Sequence, residues 1–143
     1  MNKWLVMAGL LSIAAAIAHV AVIFGGPDWY RFFGAGEGMA QAAERGSLRP
    51  ALITLCIAAI LLGWAAYAFS GSGLIPRLPL IKPALILISA ILLARALAPA
   101  AILLFAPGRM SPFVLWSSAI VLILGMAYAV GTWIAWPFLG SHR

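Results

Sequence analysis

Two side chains stand out because they interrupt long apolar runs: His19 and Arg95. A histidine in such a place can carry a proton or touch a ligand, since its unperturbed pKa of about 6.5 lets it change charge near neutrality. It can equally be structural, with its ring bonded to a neighbouring helix. An arginine at mid-span costs roughly 2.5–3.5 kcal/mol on insertion scales, so it persists only when paired, solvated or useful. Along its own helix Arg95 meets Ile88, Ile91, Leu92, Ala98 and Pro99, none of which can pair with it. Two readings stay open. Either Arg95 snorkels toward the headgroups, helped by a helix that kinks or ends at Pro99, or it builds a polar site.

The other chemistry-bearing residues gather in one 25-residue stretch, Gly25–Arg49, which holds all three acidic residues, Asp28, Glu37 and Glu44. Asp28 is placed to cap a short turn through Phe33, and Trp29, Tyr30, Phe32 and Phe33 suit a headgroup boundary. Gly34, Gly36 and Gly38 flank Ala35 and Glu37 and leave the backbone free to bend close to another group. This is no phosphate loop, for it lacks the preceding strand and the lysine. Met39–Arg45 reads as a short helix closed by Gly46. The stretch is therefore either a surface-lying interfacial segment or a lid that presents Glu37 or Asp28 to Arg95.

These residues need a scaffold, and composition says which kind. Of 143 residues, 65% are hydrophobic and 8% charged, whereas a soluble domain carries about 25% charged residues. So little polar surface cannot face water, and the long apolar runs specify an all-α integral membrane protein with its core formed between helices. The net charge of +6 comes from nine Lys and Arg spread singly along the chain. That spacing suits topology and anionic lipid headgroups; the clustered footprint of a nucleic-acid binder is absent, so no nucleic acid is expected as partner. Cys56 is the single cysteine and cannot form an internal disulfide. Together with two histidines it cannot close a four-ligand zinc site within one chain, and one intramembrane histidine cannot supply both axial ligands of a bis-histidine haem. No cofactor is expected.

The hydropathy predicts four transmembrane helices in a single domain, at about 4–24, 51–69, 83–105 and 113–136. The first spans roughly 31 Å, enough for a hydrocarbon core of about 30 Å. Lys3, Leu5–Ile13 and Ala16-Ile17-Ala18 follow the order of a cleavable leader, but the apolar run continues to Phe24, so it reads as a retained helix. Pro50 suits a first helical turn, Ser70-Gly71-Ser72-Gly73 breaks the second run, and three prolines with Arg77 and Lys82 make a tight joint to the third. The two halves share neither motif nor loop length, which does not support an inverted-repeat transporter.

Small residues recur every fourth position at Ala8, Ser12 and Ala16, at Ala59 and Gly63, and at Gly125 and Ala129, a spacing that lets helix backbones approach closely. Trp4, Trp29, Trp116, Trp133, Trp136 and Tyr30 fall near helix ends, as an aromatic belt requires. With the N-terminus inside, Lys3, Arg77, Lys82 and Arg143 face the cytoplasm and Arg31, Arg45, Arg49 and Arg109 the other side. The α-amino group and the compact Arg77/Lys82 joint tilt this even split toward both termini being cytoplasmic, in a cytoplasmic (inner) membrane.

On this topology the first and third helices both run toward the Gly25–Arg49 loop, so His19 and Arg95 share the half of the membrane beneath it. The expected architecture is a four-helix bundle with a short interfacial helix in the first loop. Its expected ligand-binding residues are His19, Arg95, Asp28, Tyr30, Arg31 and Glu37. Ser117, Ser118, Tyr128 and Thr132 of the fourth helix are candidates for lining a cavity. An arginine and a histidine against an apolar interior suit an anionic headgroup with an apolar tail. The leading expectation is a protein that binds an amphipathic, lipid-like ligand or serves as an accessory membrane subunit. Its partners are membrane lipids, with a homo-oligomer or larger membrane complex as possible assembly. The rival is an enzyme acting on a lipid, sterol or quinone, in which Glu37 or Asp28 works as acid or base with His19 and Arg95. Catalytic residues are not assigned.

Overall fold

A computed structural model of the protein describes residues 1–33 and 35–140. Gly34 and Arg143, named above for loop bending and charge balance, lie outside the described residues. Among those described, every regular element is a helix: α1 Lys3–Gly25, α2 Pro27–Phe32, α3 Glu37–Glu44, α4 Arg49–Ser72, α5 Ile81–Ala96, α6 Ala98–Phe105, a 3-10 turn Pro107–Arg109, and α7 Pro112–Leu139. Helices α1, α4 and α7 are long and apolar enough to cross a membrane, and α5 with α6 makes a fourth if that bent pair is one span.

The third apolar run is not one straight helix. It breaks at Leu97, and α5 and α6 meet at a bend of 42°. Pro99 is the cause. It has no N–H for the carbonyl of Arg95, and its ring crowds that same turn, so the chain closes α5 and restarts with Pro99 in the first turn of α6.

The second span corrects the expected stop at Phe69. The helix runs on through Ser70-Gly71-Ser72 and closes at Gly73, whose φ of 92° is open to glycine alone at low cost. The Leu74 N–H bonds Phe69 O at 3.0 Å and the Gly73 N–H bonds Ser70 O at 3.2 Å, the paired closure of a Schellman end. Gly71 stays helical because Leu5 and Leu85 fill its missing side chain's place, with their Cδ1 atoms 2.9 and 3.0 Å from where a Cβ would sit. In the proline-rich joint, side chains supply the hydrogen bonds that proline nitrogens cannot. The Ser70 hydroxyl donates to Pro76 O at 3.0 Å and accepts from the Leu78 N–H at 2.9 Å, and the Tyr67 hydroxyl donates to Pro79 O at 3.1 Å. The fourth span likewise passes its expected end at Trp136 and carries Pro137 within its last turn.

By contacts the chain divides into two compact units: a larger one of Met1–Ser12 with Trp64–Arg143, and a smaller one of Ile13–Gly63. In the larger unit Leu5, Ala8, Leu85, Ile88, Leu92, Leu124 and Tyr128 form a buried core. Small residues make the close approaches there. Gly125 packs on Leu92 and Leu93, and Gly131 sits 3.1 Å by its virtual Cβ from the backbone nitrogen of Leu5. Asn2 Nδ2 then donates to Gly131 O at 2.7 Å. The buried hydroxyls of Ser12 and Tyr128 bond each other at 2.7 Å. The smaller unit has its own core of Val22, Tyr30 and Ala40, flanked by Phe33, Met39 and Ala43. Its Ala59 and Gly63 are exposed, and nothing among the described residues lies within 4 Å of where a Gly63 Cβ would sit.

The Ser12–Tyr128 bond sets an order of mutant stabilities. Ser12→Ala strands a buried phenol hydroxyl and should cost about 1–3 kcal/mol, whereas Tyr128→Phe should cost under about 1 kcal/mol because Ser12 can turn to its own helix carbonyl. Reversible unfolding in mixed micelles measures both; equal losses or the reverse order would contradict the pairing.

Candidate functional site

Arg95 belongs to the last turn of α5, immediately before the break that Pro99 imposes. There its guanidinium reaches across to α7: Nη1 donates to Ser118 Oγ at 2.9 Å and Nη2 lies 3.4 Å from Ser117 Oγ. Ser118 is buried while Arg95 itself lies on the exposed surface. Ser117 also donates to Val114 O at 3.3 Å, within its own helix. Both partners are neutral hydroxyls. The larger unit contains no Asp or Glu anywhere in its sequence, although it holds Lys3, Arg77, Lys82, Arg95, Arg109 and Arg143. The whole formal net charge of +6 therefore resides in that unit, and among the described residues Arg95 is hydrogen-bonded to neutral groups.

In the smaller unit the three acidic residues have a partner already. Arg31 is at the centre of them. Its Nε and Nη2 grip Glu37 side-on at 3.0 and 2.9 Å, Nη2 also donates to Glu44 Oε1 at 2.6 Å, and Nη1 reaches Asp28 Oδ1 at 3.3 Å. Gln41 Nε2 lies 3.5 Å from Glu37 Oε1. The unit's three acidic residues balance Arg31, Arg45 and Arg49, so it is neutral overall. The hydrogen bonds from Arg31 hold the Glu37 carboxyl below its usual range, and the carboxylates in turn raise the Arg31 guanidinium. The Glu37 side chain remains 58% exposed. A wet, ionised carboxylate of this kind is a poor general acid.

Local structure explains the cluster. Asp28 does not cap α2 as expected: Gly26, with φ of 78°, occupies that position without a side-chain bond, and Asp28 moves into the first turn, three residues before Arg31. Gly36, with φ of 101°, turns the chain so that α3 packs on α2 and brings Glu37 and Glu44 to Arg31. The helix expected at Met39–Arg45 is present as Glu37–Glu44, beginning two residues earlier and ending one residue earlier, and Gly46 closes it as expected with φ of 74°.

The remaining predicted residues divide. His19 Nδ1 donates to Ala15 O at 2.6 Å, which fixes the ring against its own helix. Tyr30 is buried in the core of the smaller unit. The structure thus brings Asp28, Arg31 and Glu37 together and adds Glu44, while His19 and Arg95 belong to different units. Of the four α7 candidates, Ser117 and Ser118 serve Arg95, Tyr128 bonds Ser12, and Thr132 has a buried hydroxyl with no hydrogen-bond partner among the described residues. Cys56 is exposed on α4.

No family model matches the chain, and no curated protein or solved structure is similar to it. Fold and site alone define its class: an all-helical chain with three to four candidate membrane spans and an arginine held by serines at the break of one of them.

The Arg31 cluster has a definite pH signature. Because the Glu37 pKa is lowered by folding, its contribution to the α2–α3 fold is present above the ordinary glutamate value of about 4.3 and fades as pH falls through the lowered one. Amide exchange over residues 27–46, corrected for intrinsic rates, should be flat from neutrality to mild acid and accelerate several-fold below that value. Arg31→Gln should give the same acceleration at neutral pH. A pH-independent, Arg31-independent protection would contradict this account.

Proposed function

We propose that this chain is a small four-helix protein of the cytoplasmic membrane that holds an amphipathic ligand with an anionic headgroup, Arg95 being the headgroup contact. It acts as a lipid-binding protein or as an accessory subunit whose bound lipid is part of a larger membrane assembly. Both termini lie on one side of the membrane.

One observation supports the reading: among the described residues the Arg95 guanidinium hydrogen-bonds to the hydroxyls of Ser117 and Ser118, in a unit with no Asp or Glu. Hydroxyls orient the fork but leave its charge and most of its five N–H donors unused. Phosphate oxygens match that fork in geometry and cancel its charge. An intramembrane arginine costs roughly 2.5–3.5 kcal/mol on insertion scales, so a lipid anion bound there removes much of the reason for that cost. The break beside Arg95 supports the same reading, since a bent span interrupts the continuous apolar surface next to the charge. The enzymatic alternative needs a carboxyl of raised pKa, and Glu37 is shifted the other way.

Native mass spectrometry of protein extracted with its own lipids provides the test. Arg95→Ala should lower the occupancy of anionic phospholipid about tenfold, the value of a lost charge-assisted hydrogen bond. Arg95→Lys should fall between the two, having the charge without the fork. Equal anionic lipid content in wild type and Arg95→Ala would overturn the proposal.

A further inference from the structure

Helix α2 sorts its side chains by chemistry. At about 100° per residue, Arg31 and Asp28 take one arc of the helix, Phe32 and Trp29 the next, and Tyr30 the side turned into the core with α3. The charged arc is open to water: the Asp28 side chain is 93% exposed, and Glu37 and Glu44 meet Arg31 there. The aromatic arc is open as well, with Trp29 46% and Phe32 66% exposed. Its rings are held in place by Phe33, which lies 6.1 Å from Trp29 and 5.0 Å edge-on from Phe32, and which packs against the Tyr30 core.

The end of α1 sets the depth of these rings. With 23 residues α1 is about 34 Å long, against a hydrocarbon core of about 30 Å, so its last turn emerges at the headgroup boundary. Gly25 is its last residue, and the Trp29 ring occupies the place where a Gly25 side chain would stand. Phe24, one residue earlier, is 87% exposed. Open aromatic rings thus gather at the level where the span leaves the hydrocarbon. One short helix carries these rings beside ionised groups, so neither water nor hydrocarbon alone suits it. The boundary between the two does.

We propose that the aromatic arc of α2 is a membrane-docking face: Trp29 and Phe32 lie in the headgroup–acyl boundary of the leaflet that α1 leaves, and the Arg31 cluster faces water. The partner is the lipid surface itself. Zwitterionic lipid is enough, because the smaller unit has no net charge with which to recruit an anionic one. The proposal rests on α1 crossing the membrane, part of the reading above, and is independent of the Arg95 contact.

The test places nitroxide labels at Phe32→Cys, Gln41→Cys and Ile17→Cys, each in full-length Cys56→Ser protein in phosphatidylcholine nanodiscs. Power saturation compares access to oxygen, which concentrates in lipid, with access to a nickel chelate, which stays in water. Ile17, well inside α1 and 64% exposed, should favour oxygen and checks the span itself. Gln41, exposed on α3, should favour nickel. Phe32 should side with Ile17, with nickel access several-fold below that at Gln41, and added phosphatidylglycerol should leave it unchanged. A label at Phe32 as open to nickel as that at Gln41 would overturn the proposal. So would one shielded from both reagents, which marks a protein partner. Nickel access at Ile17 would refute the span, and this proposal with it. Because the label replaces a ring, Trp29 gives a second measurement with Phe32 in place. With Trp4, Trp64, Trp116, Trp133 and Trp136 changed to Phe, its fluorescence should be quenched more by lipid brominated near the ester end than by aqueous iodide; the reverse would contradict docking.

Discussion

A guanidinium in an apolar helix must find compensation, and the unit that holds Arg95 offers no Asp or Glu for it. All three carboxylates lie in one compact unit, gathered on Arg31, while Arg95 lies in the other. Left without an acidic partner in its own unit, Arg95 takes the two hydroxyls that α7 presents, Ser117 and Ser118. Hydroxyls satisfy donors and orient the group but leave the charge standing. That residual charge shapes the functional reading, because a bound lipid anion can cancel it where the unit's own side chains do not.

The same partition separates two kinds of energetics. The Arg31 cluster is exposed and screened, so its worth is modest and varies with pH and salt; its task is to pin α3 on α2 over the Tyr30 core. The larger unit depends instead on close packing around glycines and on buried hydroxyl pairs such as Ser12–Tyr128, which hold in a medium without water. Thr132 is the exception in that scheme, its buried hydroxyl having no hydrogen-bond partner among the described residues.

Much of this was legible in the sequence. Hydropathy marks all four apolar runs, Pro99 foretells the break in the third, and Gly46 the end of α3, because each of these effects is local. Arg95 was legible as a costly residue, but its partners were not. They lie 22 and 23 positions away, and serines in apolar helices mostly bond their own backbone. The loop misled for a similar reason. Asp28 looks like a cap and Glu37 like a free carboxylate until the positive φ of Gly26 and Gly36 reorganises both around Arg31, and backbone turns of that kind leave little trace in residue type alone. Extension of α4 through Ser70-Gly71-Ser72 depended on Leu5 and Leu85, distant side chains that no local rule includes. Trp133 and Trp136 read as an interfacial belt, and only the packing of α5 on α7 shows that they also wall a groove.

The claim that Arg95 is neutralised by a lipid anion is tested most directly by solid-state NMR. Protein with ¹³C-labelled arginine, reconstituted in anionic phospholipid, should show its Arg95 Cζ signal, assigned by loss in Arg95→Lys, dephased by lipid ³¹P. Absence of ³¹P dephasing at Arg95 in a well-ordered sample would contradict the account.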